Sequence, residues 1–104
     1  MIESKRYELV FLEEAKKEYK KLDGSVKKLV NVALKKLEVR ADTLGEELSN
    51  MNGIHLAGCR KIKFKQAGIR IVYRIVNGRT EIVEIITIGK RDDLEVYRIA
   101  AKRL

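Results

Sequence analysis

Lys61, Lys63 and Lys65 alternate with Ile62 and Phe64, and an extended chain sends successive side chains to opposite faces. The spacing therefore predicts a comb of ammonium groups backed by apolar side chains. After Gln66-Ala67-Gly68 a second run repeats the pattern, with Arg70, Val72 and Arg74 on one face and Ile69, Ile71, Tyr73 and Ile75 on the other. Antiparallel pairing that joins the apolar faces brings Arg70 to the side of Lys61 and Lys63. Like charges opposed across a sheet repel one another. A phosphate polyanion is the ligand that would make such a collection useful. Ile88-Gly89-Lys90-Arg91 and Val96-Tyr97 follow the second run and add two cations and an aromatic ring.

Stepping out from these residues, the chain has 104 residues and a formal charge of +8. One domain spanning 1–104 is the expectation at this length. The charge is unevenly placed, with 11 basic against 10 acidic residues in 1–58 and 12 against 5 in 59–104. Excess charge concentrated beside the lysine comb points to nucleic acid or an acidic protein partner. Hydrophobic content of 45% with 37% charged residues excludes a disordered chain. A single cysteine excludes an internal disulfide, and no apolar run is long enough to span a bilayer, so the expected location is cytoplasmic, with no membrane partner. Cys59 reads as a small buried hydrophobe. His55, the only histidine, has too few companions to build a zinc site, so neither metal nor cofactor is expected.

The elements that must hold the cations read in order as follows. Ser4 to Phe11, with Tyr7, Leu9 and Phe11 on one face, predicts a strand. Leu12 to Tyr19 predicts a helix with acids first and lysines last, in accord with the helix dipole. Asp23-Gly24 ends it, and Ser25 is the expected N-cap of a second helix in which Val26, Leu29, Val30, Ala33, Leu34 and Leu37 keep a 3.6-residue period. From Asp42 to Gly58 the periodicity fades into an irregular connection. Arg60–Lys65 and Ile69–Val76 predict two strands, and Asn77-Gly78 a tight hairpin to a third, Thr80–Ile88. That last strand is apolar on both faces apart from Glu81 and Glu84, which predicts a central position covered on each side. Asp92 or Asp93 can cap a final helix with Glu95 as reciprocal partner. Capping accounts for these carboxylates without a magnesium ion. Leu94, Tyr97, Ala101 and Leu104 give that helix a narrow apolar stripe. The fold class is α+β, a strand and helical hairpin on an antiparallel three-strand meander with a short C-terminal helix.

Lys61-Ile62-Lys63-Phe64, the Gly68-x-Arg70-x-Val72-Tyr73 step, Gly89-Lys90-Arg91 and Glu95-Val96-Tyr97 together resemble the RelE toxins of the RelE/ParE superfamily. The resemblance spans the second half closely and the helical hairpin loosely. It implies the microbial-RNase-like RelE fold and a type II toxin–antitoxin toxin. The implied activity is a metal-independent, ribosome-dependent endoribonuclease that cuts messenger RNA in the A site and so inhibits translation. In this chemistry the ribose 2′-hydroxyl attacks the adjacent phosphate. The resemblance assigns it to Lys61, Lys63, Arg70, Arg91 and Tyr97, with Lys65, Arg74 and Lys90 available to bind RNA. The implied partners are the ribosome, messenger RNA and an acidic, RelB-like antitoxin in a hetero-oligomer. Arg60 stands where family members often carry an aromatic residue, and Ile69 replaces a tyrosine seen in some.

The residues are compatible with that chemistry. Cleavage needs a base for the 2′-hydroxyl, charge stabilisation on the phosphorane and a donor to the departing 5′-oxygen. A lysine at its reference pKa is neutral in about one molecule in 2,500 at pH 7, and crowding by Lys63, Lys65 and Arg70 would raise that fraction for Lys61. Lys61 is therefore assigned as base and Lys63 as donor, with the reverse left open. Arg70 and Arg91 suit bidentate contact with phosphate oxygens. Tyr97 suits stacking on a splayed base or orienting the 2′-hydroxyl, and its alternative is a partly buried core residue. The alternative function is a non-catalytic binding module or a gyrase-directed, ParE-like toxin on the same scaffold.

Overall fold

The computed structural model describes residues 6–50, 53–77, 81–90 and 93–104. Strand β1 (Tyr7–Phe11) turns the faces of Tyr7, Leu9 and Phe11 to a core, as their alternation predicts. Helix α1 (Glu13–Lys20) follows directly and carries Glu13 and Glu14 in its first turn. Helix α2 (Gly24–Leu44) is longer than the sequence pattern indicates, because it continues through a kink at Arg40 (φ −142°, ψ 47°). Its N-cap is Asp23 rather than Ser25. The Asp23 carboxylate accepts from Val26 N at 3.0 Å and from the Ser25 hydroxyl at 2.8 Å, and these donors hold its pKa below the usual value. A carboxylate at this position accepts both bonds, which a serine there could not do with equal strength.

The connection expected to be irregular contains a short edge strand, β2 (Glu46–Glu47). Strands β3 (Cys59–Phe64), β4 (Ile69–Asn77) and β5 (Glu81–Gly89) form the predicted meander, with Gly68 at φ +66° closing the first turn. Gly78, from the second turn, lies outside the described residues. The five strands run in the order β1-β5-β4-β3-β2, and β1 joins the meander in parallel with β5. Strand β5 is thus internal, flanked by β1 and β4, which explains its apolar character on both faces.

Each face of the sheet buries its own cluster. Helices α1 and α2 cover one face, where Ala15, Val30, Leu37 and Ala41 meet Ile69, Ile71, Tyr73, Val83 and Ile85. Helix α3 (Asp93–Arg103) covers the other, where Val96, Tyr97 and Ala100 meet Val72, Ile86, Cys59 and Leu56. The buried stripe of α3 is therefore Val96, Tyr97 and Ala100. Leu104, expected in the stripe, is 46% exposed, and Ala101 sits only partly buried beside the cluster. Asp92 and the side chains of Asp93 and Leu94 lie outside the described residues. Among the described residues no helix is long and apolar enough to cross a membrane.

Tyr73 ties the two ends of this architecture together. Its hydroxyl donates to Ala41 O at 2.8 Å and accepts from Gly45 N at 3.0 Å, so a residue of the central sheet fixes the exit from α2 into β2. Burial holds its pKa above the usual tyrosine value.

Candidate active site

The register of the meander decides which cations share a face. Lys61 lies across from Val72, which lies across from Thr87, and Lys63 lies across from Arg70, which lies across from Gly89. These are two parallel rows over three strands, adjacent strands being about 4.8 Å apart. Lys61, Lys63 and Arg70 therefore share the face on which α3 packs. The end of β5 arrives beside Arg70, and Lys90 follows it. Arg91 lies outside the described residues.

Within this group the environments differ sharply. Lys63 is exposed. Arg70 is half-buried, and its guanidinium donates to Gly68 O at 3.3 Å. Lys61 is partly buried, with its side chain 20% exposed. Its ammonium stands 5.8 Å from the centre of the Tyr97 ring and 3.9 Å from the Glu46 carboxylate. A cation over an aromatic face and a cation beside a carboxylate are both attractive contacts of the charged amine.

Tyr97 thus meets the lysine comb as α3 folds across the sheet, although not as an exposed ring. It is 3% exposed, and among the described residues its buried hydroxyl has no hydrogen-bond partner. The expected stacking surface for a base is turned inward, against Lys61 and the apolar cluster. The cause is the helix phase, which puts Val96, Tyr97 and Ala100 together on the buried side.

The three residues expected to bind RNA around this group separate. Lys65 is exposed in the turn after β3. Arg74 shares the face of Lys61 but donates to Glu84 across the β4–β5 ladder at 2.7 Å. Lys90 is exposed just beyond the end of β5. The geometry therefore gathers Lys61, Lys63, Arg70 and Tyr97, leaves Lys65 and Lys90 exposed at the margin, and pairs Arg74 with Glu84.

Sequence patterning gave no sign of the acidic neighbours of Lys61 and Arg60. Glu46 lies opposite Lys61 and Glu47 opposite Arg60 in the β2–β3 pairing, and Glu47 accepts from Arg60 at 3.1 Å. A two-residue strand carries no periodicity to detect. The available signal was electrostatic, since adjacent glutamates in the segment leading to a lysine-rich strand are natural counter-charges. Cys59, buried at 1% exposure on the same face, has its thiol pKa pushed up by burial and lies in the apolar cluster.

A family model described as the ParE toxin of the type II toxin–antitoxin system, parDE, matches residues 9–95. The mRNA interferase toxin RelE of Escherichia coli strain K12 is 35% identical over 98 residues, covering 94% of this chain and 97% of that protein. A free-state structure of an arginine-to-alanine double variant of E. coli toxin RelE has a TM-score of 0.71 and 31% identity, covering 95% of this chain and 98% of that one. The same E. coli variant in complex with an antitoxin RelBc peptide has a TM-score of 0.66 and 34% identity over the same shares of the two chains.

Proposed function

Because this chain belongs to the RelE/ParE family of type II toxin–antitoxin toxins, we propose that it is an mRNA interferase, an endoribonuclease that stops translation by cutting messenger RNA in the ribosomal A site. The observation that carries this reading is the pair of rows that set Lys61, Lys63 and Arg70 on one face of the meander, with the end of β5 alongside. A patch of this kind follows a phosphodiester backbone and concentrates positive charge where the phosphorane develops.

In the proposed reaction the 2′-oxygen forms a bond to phosphorus and the bond from phosphorus to the 5′-oxygen breaks. One lysine takes the 2′-hydroxyl proton and the other gives a proton to the leaving oxygen. Glu46 and Tyr97 both face Lys61 as an ammonium, so Lys61 is the donor and Lys63 the base. This reverses the assignment made from crowding along the strand. Arg70, with Arg91 as its counterpart beyond β5, clamps the phosphate oxygens. Tyr97 sets the position of Lys61. The chemistry uses lysine and arginine side chains, with the base acting as a neutral amine, and requires no metal ligand.

The proposed partners are the programmed ribosome with its message and an acidic, RelB-like antitoxin that covers the basic face in a hetero-oligomer. The proposed location is the cytoplasm, where translation occurs. Purified protein added to ribosomes stalled on a defined message tests the reading. Cuts confined to the A-site codon are expected, with naked message of the same sequence left intact and a 2′-O-methyl group at the attacking ribose abolishing cleavage. An intact message with folded wild-type protein would reject it. Inhibition of DNA gyrase in its place would establish the ParE-like alternative.

A further inference from the structure

We infer that Glu18 and Arg103 are positioning residues for the active site, a clasp that seats helix α3 and through it holds the Tyr97 ring against Lys61. The consequence for cleavage rests on the ribonuclease reading above, whereas the geometry does not.

The clasp occupies a gap in the sheet. Strand β1 pairs with β5 only as far as Phe11 and Ile85, and Leu12 N donates to Ile85 O at 3.0 Å as the chain leaves for α1. Beyond that point β5 runs on through Ile86 to Gly89, and among the described residues no strand pairs with it on that side. Unpaired backbone groups at a sheltered edge need partners, and here they come from two helices. Glu18 Oε1 accepts from Ile88 N at 3.2 Å and from Thr87 Oγ1 at 2.9 Å. Arg103 donates to Ile86 O at 3.0 Å and to both oxygens of Glu18, at 2.7 and 3.3 Å. Its Nε also lies 3.4 Å from Glu14. Thr87 is 1% exposed, and the side chains of Arg103 and Glu18 are only 15% and 27% exposed.

A β-bulge explains why Arg103 finds Ile86 O. The register between β4 and β5 steps from Val72 opposite Thr87 to Tyr73 opposite Ile85, so Ile86 is the extra residue. A bulged residue falls out of the ladder. Arg103 therefore reads a feature present at one place only along β5.

That specificity matters for α3. Among the described residues its apolar contact is made by Val96, Tyr97 and Ala100 with Ala101 beside them, and apolar burial is non-directional. The Tyr97 hydroxyl, which has no hydrogen-bond partner among the described residues, adds no orientation of its own. A guanidinium bonded to both oxygens of a carboxylate does fix orientation. Tyr97 lies six residues before Arg103, about 9 Å along the helix axis, so anchoring the last turn sets the rotation and height of the ring. The clasp thus adds a directional contact that apolar burial alone does not supply.

The test uses full-length Glu18→Gln, Arg103→Met and Arg103→Lys proteins. Glu18→Gln keeps an oxygen for Ile88 N and Thr87 while removing the charge that holds Arg103. We expect the Lys61 side-chain methylene resonances to lose their Tyr97 ring-current shift and the α3 amides to exchange faster, with the α2 and β4 amides unchanged. On programmed ribosomes the maximal cleavage rate should fall about tenfold, the scale of a displaced catalytic group, with the half-saturating ribosome concentration unaltered. Arg103→Lys should recover part of both effects. Unchanged Lys61 shifts in Glu18→Gln and Arg103→Met would overturn the inference, as would a uniform rise in exchange across α2, β4 and α3 with no selective effect on α3. Should the shifts be lost while wild-type protein fails to cut any message, the clasp stands and the nuclease reading falls.

Discussion

At the scale of single residues, Tyr97 and Lys61 are best understood as one unit. A buried hydroxyl without a partner costs about 1–3 kcal/mol, and Tyr97 carries one at 3% exposure. Tyr97→Phe removes that penalty and keeps the ring over Lys61. We therefore expect its unfolding free energy in urea to rise by about 1 kcal/mol and its cleavage rate to stay within a few-fold of wild type. A large loss of cleavage at full stability would show that the hydroxyl acts on the substrate. The two lysines can be separated by the leaving group. A 5′-thio leaving group departs without protonation, so a message with sulfur at that bridging position should restore cleavage by Lys61→Ala and leave Lys63→Ala impaired. Rescue of Lys63→Ala alone would return the base to Lys61. Glu46 belongs to the same scale. Its carboxylate is 82% exposed and 3.9 Å from Lys61, a contact worth under about 1 kcal/mol to folding. Glu46→Gln should leave the melting temperature unchanged and strengthen RNA binding at low salt, because an anion that competes with phosphate is gone.

At the scale of elements, the exit from α2 depends on close approach. A Cβ on Gly45 would lie 2.8 Å from the Lys61 carbonyl oxygen and 2.6 Å from the Tyr73 hydroxyl, and neither neighbour can move far, one being β3 backbone and the other held by Ala41 and Gly45. Gly45→Ala should cost about 1–3 kcal/mol, the scale of an overpacked core, read as a shift in urea midpoint. An unshifted midpoint would show that β2 can peel away from β3 without consequence. This join also shows where sequence reading runs out. Alternation in Tyr7–Phe11, Cys59–Phe64 and Ile69–Asn77 exposed the strands, because a half-buried strand must alternate, and it put Lys61, Lys63 and Arg70 on one face. The same logic made Tyr73 a core residue, which it is at 0% exposure. Glu46–Glu47 had no such signature, since its two residues are fixed by β3, by Gly45 and by Tyr73 rather than by local preference. Helix α3 was legible as a helix but not in phase. Its stripe is decided by the Ile86 bulge and the Glu18–Arg103 clasp, contacts 17 and 85 residues apart in the chain that no periodicity records.

At the scale of the whole molecule, one sheet separates two clusters, and the catalytic proposal uses the face on which α3 packs. The division has a consequence for pH, because each cluster buries a group that must stay neutral. Tyr73 lies in the cluster under α1 and α2, and Cys59 lies in the cluster under α3. Burial raises both above their usual values. In the unfolded chain the thiol ionises near pH 8.5 and the phenol near pH 10. Below those values both states carry the protons and the full stability is present. Above them the unfolded chain releases protons that the folded protein retains, so the unfolding free energy falls as pH rises towards and through the raised values. The decline should therefore begin near pH 9 and steepen past pH 10, and urea titrations between pH 7 and 11 will show it. Tyr73→Phe discriminates the source. It should lower stability at pH 7 by about 1–3 kcal/mol, because Gly45 N and Ala41 O lose their buried partner, yet it should flatten the decline above pH 10. If the decline keeps its slope in Tyr73→Phe, the alkaline limit belongs to other groups, among them Tyr7, which is 2% exposed and whose pKa burial also raises.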